Sequence, residues 1–220
     1  MELKHISQFK KVNDYKHIWV FSYFIIYVPW YFGLQNFREV ICYDVYTKID
    51  ALIPFVSWFI YPYIYWYLFV AGTIYFLFFA DKKEFYQCVT FLFVGMTICL
   101  IIYTVFPTSF NHRPEIITGS PLSVYLTQWI YSADQCENVL PSIHVFNSIA
   151  CMIALLKSQH LKNYNWVKIF AIGSTILITL STMFVRQHSI LDAIAASCLS
   201  IILYIFIYKK DILSKYINHS

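Results

Sequence analysis

Charge is what this chain has least of: Asp, Glu, Lys and Arg make up 13% of 220 residues, against 59% hydrophobic ones. That balance excludes a soluble globule, whose folded surface needs a polar skin that so few charges cannot supply. Repeats, low-complexity tracts and Gly/Ser-rich linkers are also missing, which leaves a single membrane domain, residues 1–220. The six cysteines show no C-x-x-C spacing and no metal-type pairing. No basic run interleaved with aromatics exists, so the net charge of +4 gives no reason to expect a nucleic-acid partner. The first apolar run lacks a small-residue cleavage site and is too long for a signal-peptide core, so it reads as a retained span.

What the chain does have is apolar runs near the length of a membrane-crossing helix, roughly 20 residues. Six can be drawn, at about 17–36, 53–79, 86–106, 142–156, 165–184 and 190–208. The second contains Pro54 and Pro62 and is expected to tilt or kink, and the fourth is short. The fold class expected is an all-α integral membrane protein with six transmembrane helices. Twelve of the 16 basic residues, all lysines from Lys4 to Lys215, then fall on one side, with Arg38, Lys48, Arg113 and Arg186 on the other. By the positive-inside rule the lysine-rich side, with both termini, is cytoplasmic. The expected location is a bacterial cytoplasmic membrane. Lysine reads as topological here and arginine as functional.

Cys88, Cys99, Cys151 and Cys198 lie in or at the ends of spans, where cysteine behaves as a small hydrophobe. Cys42 and Cys136 both map to the outer side, where geometry decides whether they pair. The longest segment outside the spans is the outer loop 107–141, punctuated by Pro107, Pro114, Pro121 and Pro141. Its middle, SVYLTQWIYS, predicts a short interfacial helix. The earlier outer segment NFREVICYDVYTKID is amphipathic enough to lie along headgroups. Long ordered loops in compact domains usually carry function.

Three short pieces bring polar chemistry to that outer face: FNHRPEI, NVLPSIHVF and VRQHSILD. In the third, His188 and Asp192 are four apart and would share one helix face. A carboxylate there accepts the imidazole Nδ1–H, fixes the tautomer and leaves Nε2 as base or nucleophile. In the second, the Pro141–Ser142 start predicts a helix capped by Ser142, whose first amides and dipole suit an anion. His144 follows two residues later and faces the same anion. Arg113 and Arg186 are planar multi-donor cations of the kind a phosphate takes. Read singly, each piece also fits a helix cap, an interfacial polar pair or a snorkelling arginine. Together, in a chain nearly free of charge, they read as a site, because ionisable groups at membrane depth are costly.

RP, then PSxH at a helix start, then R…HxxxD before a final span resembles the type 2 phosphatidic acid phosphatase superfamily. That family has the motifs K-x6-RP, PSGH and SR-x5-H-x3-D on a six-helix core, and the resemblance covers roughly residues 50 to 208. Arg113 and Pro114 match the first motif, Ser142 and His144 the second, and Ser181, His188 and Asp192 the third. Three positions depart: Phe106 stands for the lysine, Ile143 for the glycine and Thr182 for the arginine. On a continuing helix Arg186, four residues after Thr182, would replace that cation. A basic residue two before the histidine also resembles the inositol phosphorylceramide synthase branch, which transfers phosphoryl-bearing headgroups.

The resemblance implies that His188 attacks phosphorus, Asp192 orients it and His144 protonates the leaving group. Arg113, Arg186 and Ser142, with Ser181 and Thr182 beside them, would hold the phosphoryl oxygens. It implies a metal-independent hydrolase, without cofactor, acting on a lipid phosphate in the bilayer from the extracytoplasmic face. Transfer to a lipid or polyol acceptor is the alternative. Two other classes stay open on residues alone: a zinc site built from His144, His188 and Asp192, and a transporter or scaffold using the polar cluster as a path.

Overall fold

The computed structural model describes residues 12–36 and 40–211. Arg38, Lys4, Lys10, Lys11 and Lys215, which entered the charge reading above, lie outside the described residues. Within them the protein is a helical bundle. A 3-10 stretch, Val12–Tyr23, runs into α1 (Phe24–Asn36), and α2 (Ile60–Ala80) and α3 (Lys82–Val105) follow. The outer loop contains α4 (Pro121–Ala133). It leads to α5 (Ile143–Lys157), α6 (Asn165–Phe184) and α7 (Ile190–Tyr204), which ends in a π turn, Ile205–Lys209.

Local chemistry sets most boundaries. Asp81 separates α2 from α3, and its side chain accepts the Glu84 N–H at 2.9 Å, capping the second helix. Ser120 caps α4, with Pro121 in the first turn, where its missing N–H costs nothing. The interfacial helix predicted over SVYLTQWIYS is α4. The second apolar run departs from expectation: residues 53–56 are not helical, and α2 begins only at Ile60 after a single 3-10 turn, Ser57–Phe59. The Val56 N–H instead donates to the Phe184 carbonyl, so the stretch around Pro54 belongs to the end of the bundle where α6 stops rather than to a span.

Among the described residues, five segments are long and apolar enough to cross a membrane: Lys16–Gln35, Ser57–Ala80, Lys82–Val105, Asn165–Phe184 and Ile190–Lys209. α5 is equally apolar but shorter, at 15 residues. It is the most enclosed helix, packing against α2, α3, α6 and α7. Small side chains at Ala150, Cys151 and Ala154 let its neighbours approach closely. At Gly95 on α3 an added Cβ would lie 1.9 Å from the tip of the buried Phe146 ring, so that crossing requires glycine. Large apolar side chains on α6 and α7, among them Ile169, Ile176, Ile194 and Ile201, point outward. A surface of that kind suits hydrocarbon and not water, and the protein is an integral membrane protein.

At the end of the bundle that holds α4, the outer segments knit together. Strands β1 (Tyr43–Asp44) and β2 (Thr108–Ser109) pair in parallel, and Ser109 bridges antiparallel to Glu137. Cys42 and Cys136 form no disulfide; the Cys136 thiol lies 3.6 Å from Asn111 Oδ1. This small cap fixes the ends of the loop that approaches the starts of α5 and α7.

Candidate active site

α7 begins with a reciprocal cap. The Ser189 hydroxyl accepts the Leu191 N–H at 3.2 Å, and the Asp192 carboxylate accepts the Ser189 N–H at 2.9 Å. The same Asp192 oxygen lies 3.0 Å from His188 Nδ1. His188 therefore stands in the turn before the helix, and the pair forms through that cap rather than along a helical face. Two further bonds hold the turn, since the N–H groups of Gln187 and His188 both donate to the Thr182 carbonyl. An ionised carboxylate can only accept, so Nδ1 carries the proton and Nε2 is the nitrogen left for chemistry.

α5 starts beside it. Ser142 caps the helix by accepting the Val145 N–H at 3.4 Å, and its own N–H donates to the Asp192 carbonyl at 3.2 Å. The Tyr103 hydroxyl, on α3, donates to the Pro141 carbonyl. These bonds seat the start of α5 against the start of α7. They put His144 opposite His188, ring centroids 5.6 Å apart. His144 packs between Tyr63 and Trp66 of α2, at 4.6 and 4.4 Å, and its buried Nε2 has no hydrogen-bond partner among the described residues.

Both histidines line a cavity of about 400 Å³ between α1, α2, α4 and the outer loop, together with Ile143, Gln187, Asp134 and Trp66. A cavity of about 690 Å³ lies elsewhere, beside α2, α6 and the α5–α6 loop, but no motif residue reaches it. The chemistry places the site in the smaller one.

The arginines are disposed differently from what their spacing suggests. α6 stops at Phe184, and Arg186 takes a positive φ of 54°, so the helix does not continue and its side chain leaves the Thr182 face. Its guanidinium donates to the carbonyls of Asp50 and Ile53, tying the turn to the first outer loop. Arg186 is not among the residues lining the cavity, and the continuing helix on which it was expected to share the Thr182 face is not formed. Arg113 lies nearer. It donates to the Tyr131 and Asp134 carbonyls and to Gln187 Oε1, with its plane 4.2 Å from the Tyr131 ring centroid. Arg113 thus touches the cavity through Gln187. Ser181 and Thr182 are fully buried, their hydroxyls donating to Ile178 and Thr179 of their own helix, and neither lines the cavity. Phe106, in the lysine position, stacks on Tyr43 at 4.7 Å.

Two acids stand out that sequence patterns do not mark. Asp50 is buried and accepts from Ile190 N–H at 2.9 Å, Ser189 hydroxyl at 2.7 Å and both Thr47 donors. It is an anion on the N-terminus of α7, where the helix dipole favours it. Burial pushes its carboxyl up, but these hydrogen bonds outweigh burial and hold it below the usual carboxylate range. Asp134, at the end of α4, accepts the Tyr63 hydroxyl at 2.7 Å and is approached by Tyr31 and Gln35. Their only sequence signal is the rarity of acids. Among the described residues, no three His, Cys, Asp or Glu side chains gather in a way that could hold a metal ion.

The geometry leaves room for a phosphoryl group between the two imidazoles, with the first amides of α5 alongside. No curated protein and no solved structure matches the chain. A family model does: the PAP2 superfamily model matches residues 88–212, more than half of the chain and all three motif segments. The chain therefore belongs to the PAP2 superfamily, the type 2 phosphatidic acid phosphatases, and is a membrane enzyme of the phosphatase type acting on phosphate esters.

Proposed function

We propose that the protein is a metal-independent lipid phosphatase that works through a phosphohistidine at His188, on the extracytoplasmic face of a bacterial cytoplasmic membrane. The observation that carries this reading is that His188, 3.0 Å from the buried Asp192 carboxylate, lines one cavity with His144. Nε2 of His188 attacks phosphorus as the bond to the lipid oxygen breaks, and Asp192 stabilises the imidazolium that forms. His144 gives its proton to the leaving alkoxide. Water then attacks the phosphohistidine, His144 takes its proton, the P–N bond breaks and phosphate leaves. The Ile143 and His144 N–H groups, first-turn donors that no helical carbonyl can satisfy, hold phosphoryl oxygens together with the dipole of α5. Arg113 adds positive potential from behind Gln187. Six spans, with both termini on the lysine-rich side, complete the arrangement. α5, enclosed by its neighbours, needs less hydrocarbon-facing length than an exposed helix.

A second reading, transfer of a phosphoryl-bearing headgroup to an alcohol acceptor, draws support from the cavity wall. Among the described residues no lysine or arginine lines it, and two of the family's three cation positions hold Phe106 and Thr182. A phosphomonoester dianion finds little compensation there, whereas a phosphodiester carries one charge fewer. The same first step serves both readings, with an alcohol replacing water in the second, as in the headgroup-transferring branch that RQH resembles.

The test is a panel of lipid phosphates and phosphodiesters offered to the purified protein in chelator, following inorganic phosphate and lipid product separately. Vanadate-sensitive release of phosphate supports hydrolysis, and a new phospholipid supports transfer. Turnover that His188→Ala leaves near wild type would sink both.

A further inference from the structure

The larger cavity, about 690 Å³, lies beside α2, α6 and the α5–α6 loop, at the end of the bundle away from the histidines. Lys168 near the start of α6 and Ser181 near its end are separated by roughly 20 Å of helix. Between them the Tyr65 and Ser174 hydroxyls pair at 3.2 Å and tie α2 to α6. The cavity floor is closed, with Phe69, Thr73 and Leu155 all buried, and the Thr73 hydroxyl is spent on the Phe69 carbonyl at 2.8 Å. Gly72 leaves space in the wall, because an added Cβ there would meet nothing within 4 Å.

The mouth of this cavity has a different chemistry. Tyr164 and Trp166, both more than half exposed, stand at it as aromatics do at a membrane–water interface. The loop KSQHLKNYNWVK, residues 157–168, holds three lysines and a histidine and no acid. Lys162 and Lys168 directly follow the lining residues Leu161 and Val167, and Lys168 Nζ donates to the Lys162 carbonyl at 2.7 Å. The acids that approach this rim are engaged elsewhere: Asp81 lies 3.9 Å from His160, and Glu84 accepts the Gln159 N–H at 2.7 Å. Neither Lys162 nor Lys168 has an ion-pair partner among the described residues. An apolar groove with aromatics at its mouth and unpaired cations at its rim complements a molecule with a hydrocarbon chain and an anionic head. Its volume falls in the range of small-molecule sites, about 300–1,000 Å³.

We propose that this groove binds one anionic glycerophospholipid from the leaflet on the lysine-rich side, an acyl chain lying along Phe69 and Gly72 and the phosphate at Lys162 and Lys168. Basic pockets between transmembrane helices take such headgroups. The bound lipid is not a substrate, since its phosphate sits most of a helix length from His188. It fills the gap between two helices that support the catalytic end. α2 supplies Tyr63 and Trp66, which pack on His144, and α6 ends in the turn that leads to His188. A lipid wedged between them braces both, and its binding is independent of the reaction at His188.

Native mass spectrometry tests this on the full-length His188→Ala protein in detergent, a background chosen so that neither probe is consumed. The protein is titrated with dioleoyl phosphatidylglycerol and with dioleoyl phosphatidylcholine. The parent is expected to retain one phosphatidylglycerol more than Gly72→Leu does, because the leucine side chain fills the groove. Leucine is also the better helix former, so the fold is kept. The parent should bind that lipid at least about tenfold more tightly than phosphatidylcholine, two lysines contributing about fivefold each. Replacing Lys162 and Lys168 together by Gln should remove most of the preference, and replacing both by Arg should keep it. That pair lies in the loop outside the bundle and decides the matter if Gly72→Leu disturbs the packing. Equal retention of the two lipids, or the same count in Gly72→Leu as in the parent, overturns the proposal and leaves annular lipid only. Loss of both lipids alike in the glutamine variant also overturns it. A dimer that Gly72→Leu dissolves, with no lipid retained, assigns the groove to a second copy of the chain and overturns it too.

Discussion

In the turn between α6 and α7, Nδ1 of His188 lies 3.0 Å from Oδ2 of Asp192, and that oxygen also receives the Ser189 N–H. One carboxylate thus holds the imidazole proposed as nucleophile and caps the helix that begins just after it. The coupling is physical: any motion that unwinds the first turn of α7 also releases the imidazole.

Replacing that carboxylate by its amide isolates the first role. Asp192→Asn keeps the size of the side chain but loses the charge that stabilises imidazolium and selects the tautomer. Turnover is expected to fall by about 10⁴-fold, as when a triad carboxylate is neutralised, with KM changing much less. Steady-state kinetics on any substrate that the wild type turns over checks this. A loss below tenfold would mean that His188 is oriented by something else.

Asp50 acts one layer further out, through Ser189 and Ile190. Asp50→Asn removes charge-assisted hydrogen bonds of about 1.5–3 kcal/mol each, part of which the amide oxygen recovers. The thermal midpoint should drop by several degrees, at about 2–4 °C per kcal/mol for a chain of this size. The pH dependence gives a sign. The folded carboxyl is held below its unfolded value, so its contribution is fully present above the unfolded pKa, about 3.9, and is lost as pH falls through the lower folded value. Wild type should therefore lose its stability advantage over Asp50→Asn as pH drops below about 4, in parallel melts.

Arg186 separates a binding role from a bracing one. Its guanidinium holds the Asp50 and Ile53 carbonyls, so Arg186→Gln should lower the thermal midpoint and kcat while leaving KM for the phosphate substrate within about twofold. A KM rise of tenfold or more with unchanged stability would restore it to the phosphate.

The contrast between these residues shows what a sequence can carry. Ser142 as a helix cap, the α4 helix and the nearness of His188 to Asp192 depend on residues within a few positions of each other. They were legible for that reason. Arg186 was misplaced because no glycine or proline marks the end of α6; the helix stops where the turn at 185–189 is pulled onto Thr182 and the first outer loop. Asp50 meets Ile190 across 140 positions, and Asp134 meets Tyr63 across 71, so no spacing rule reaches either contact. The start of α2 moved for the same reason, since Val56 is held by Phe184.

The central claim is that His188 carries phosphorus during turnover, and rapid acid-free quenching of enzyme with labelled substrate tests it most directly. The expected label is stable to alkali, labile to acid, maps to the peptide containing His188, and disappears in His188→Ala. Full turnover with no label on that peptide, or a label that persists in the variant, would contradict it.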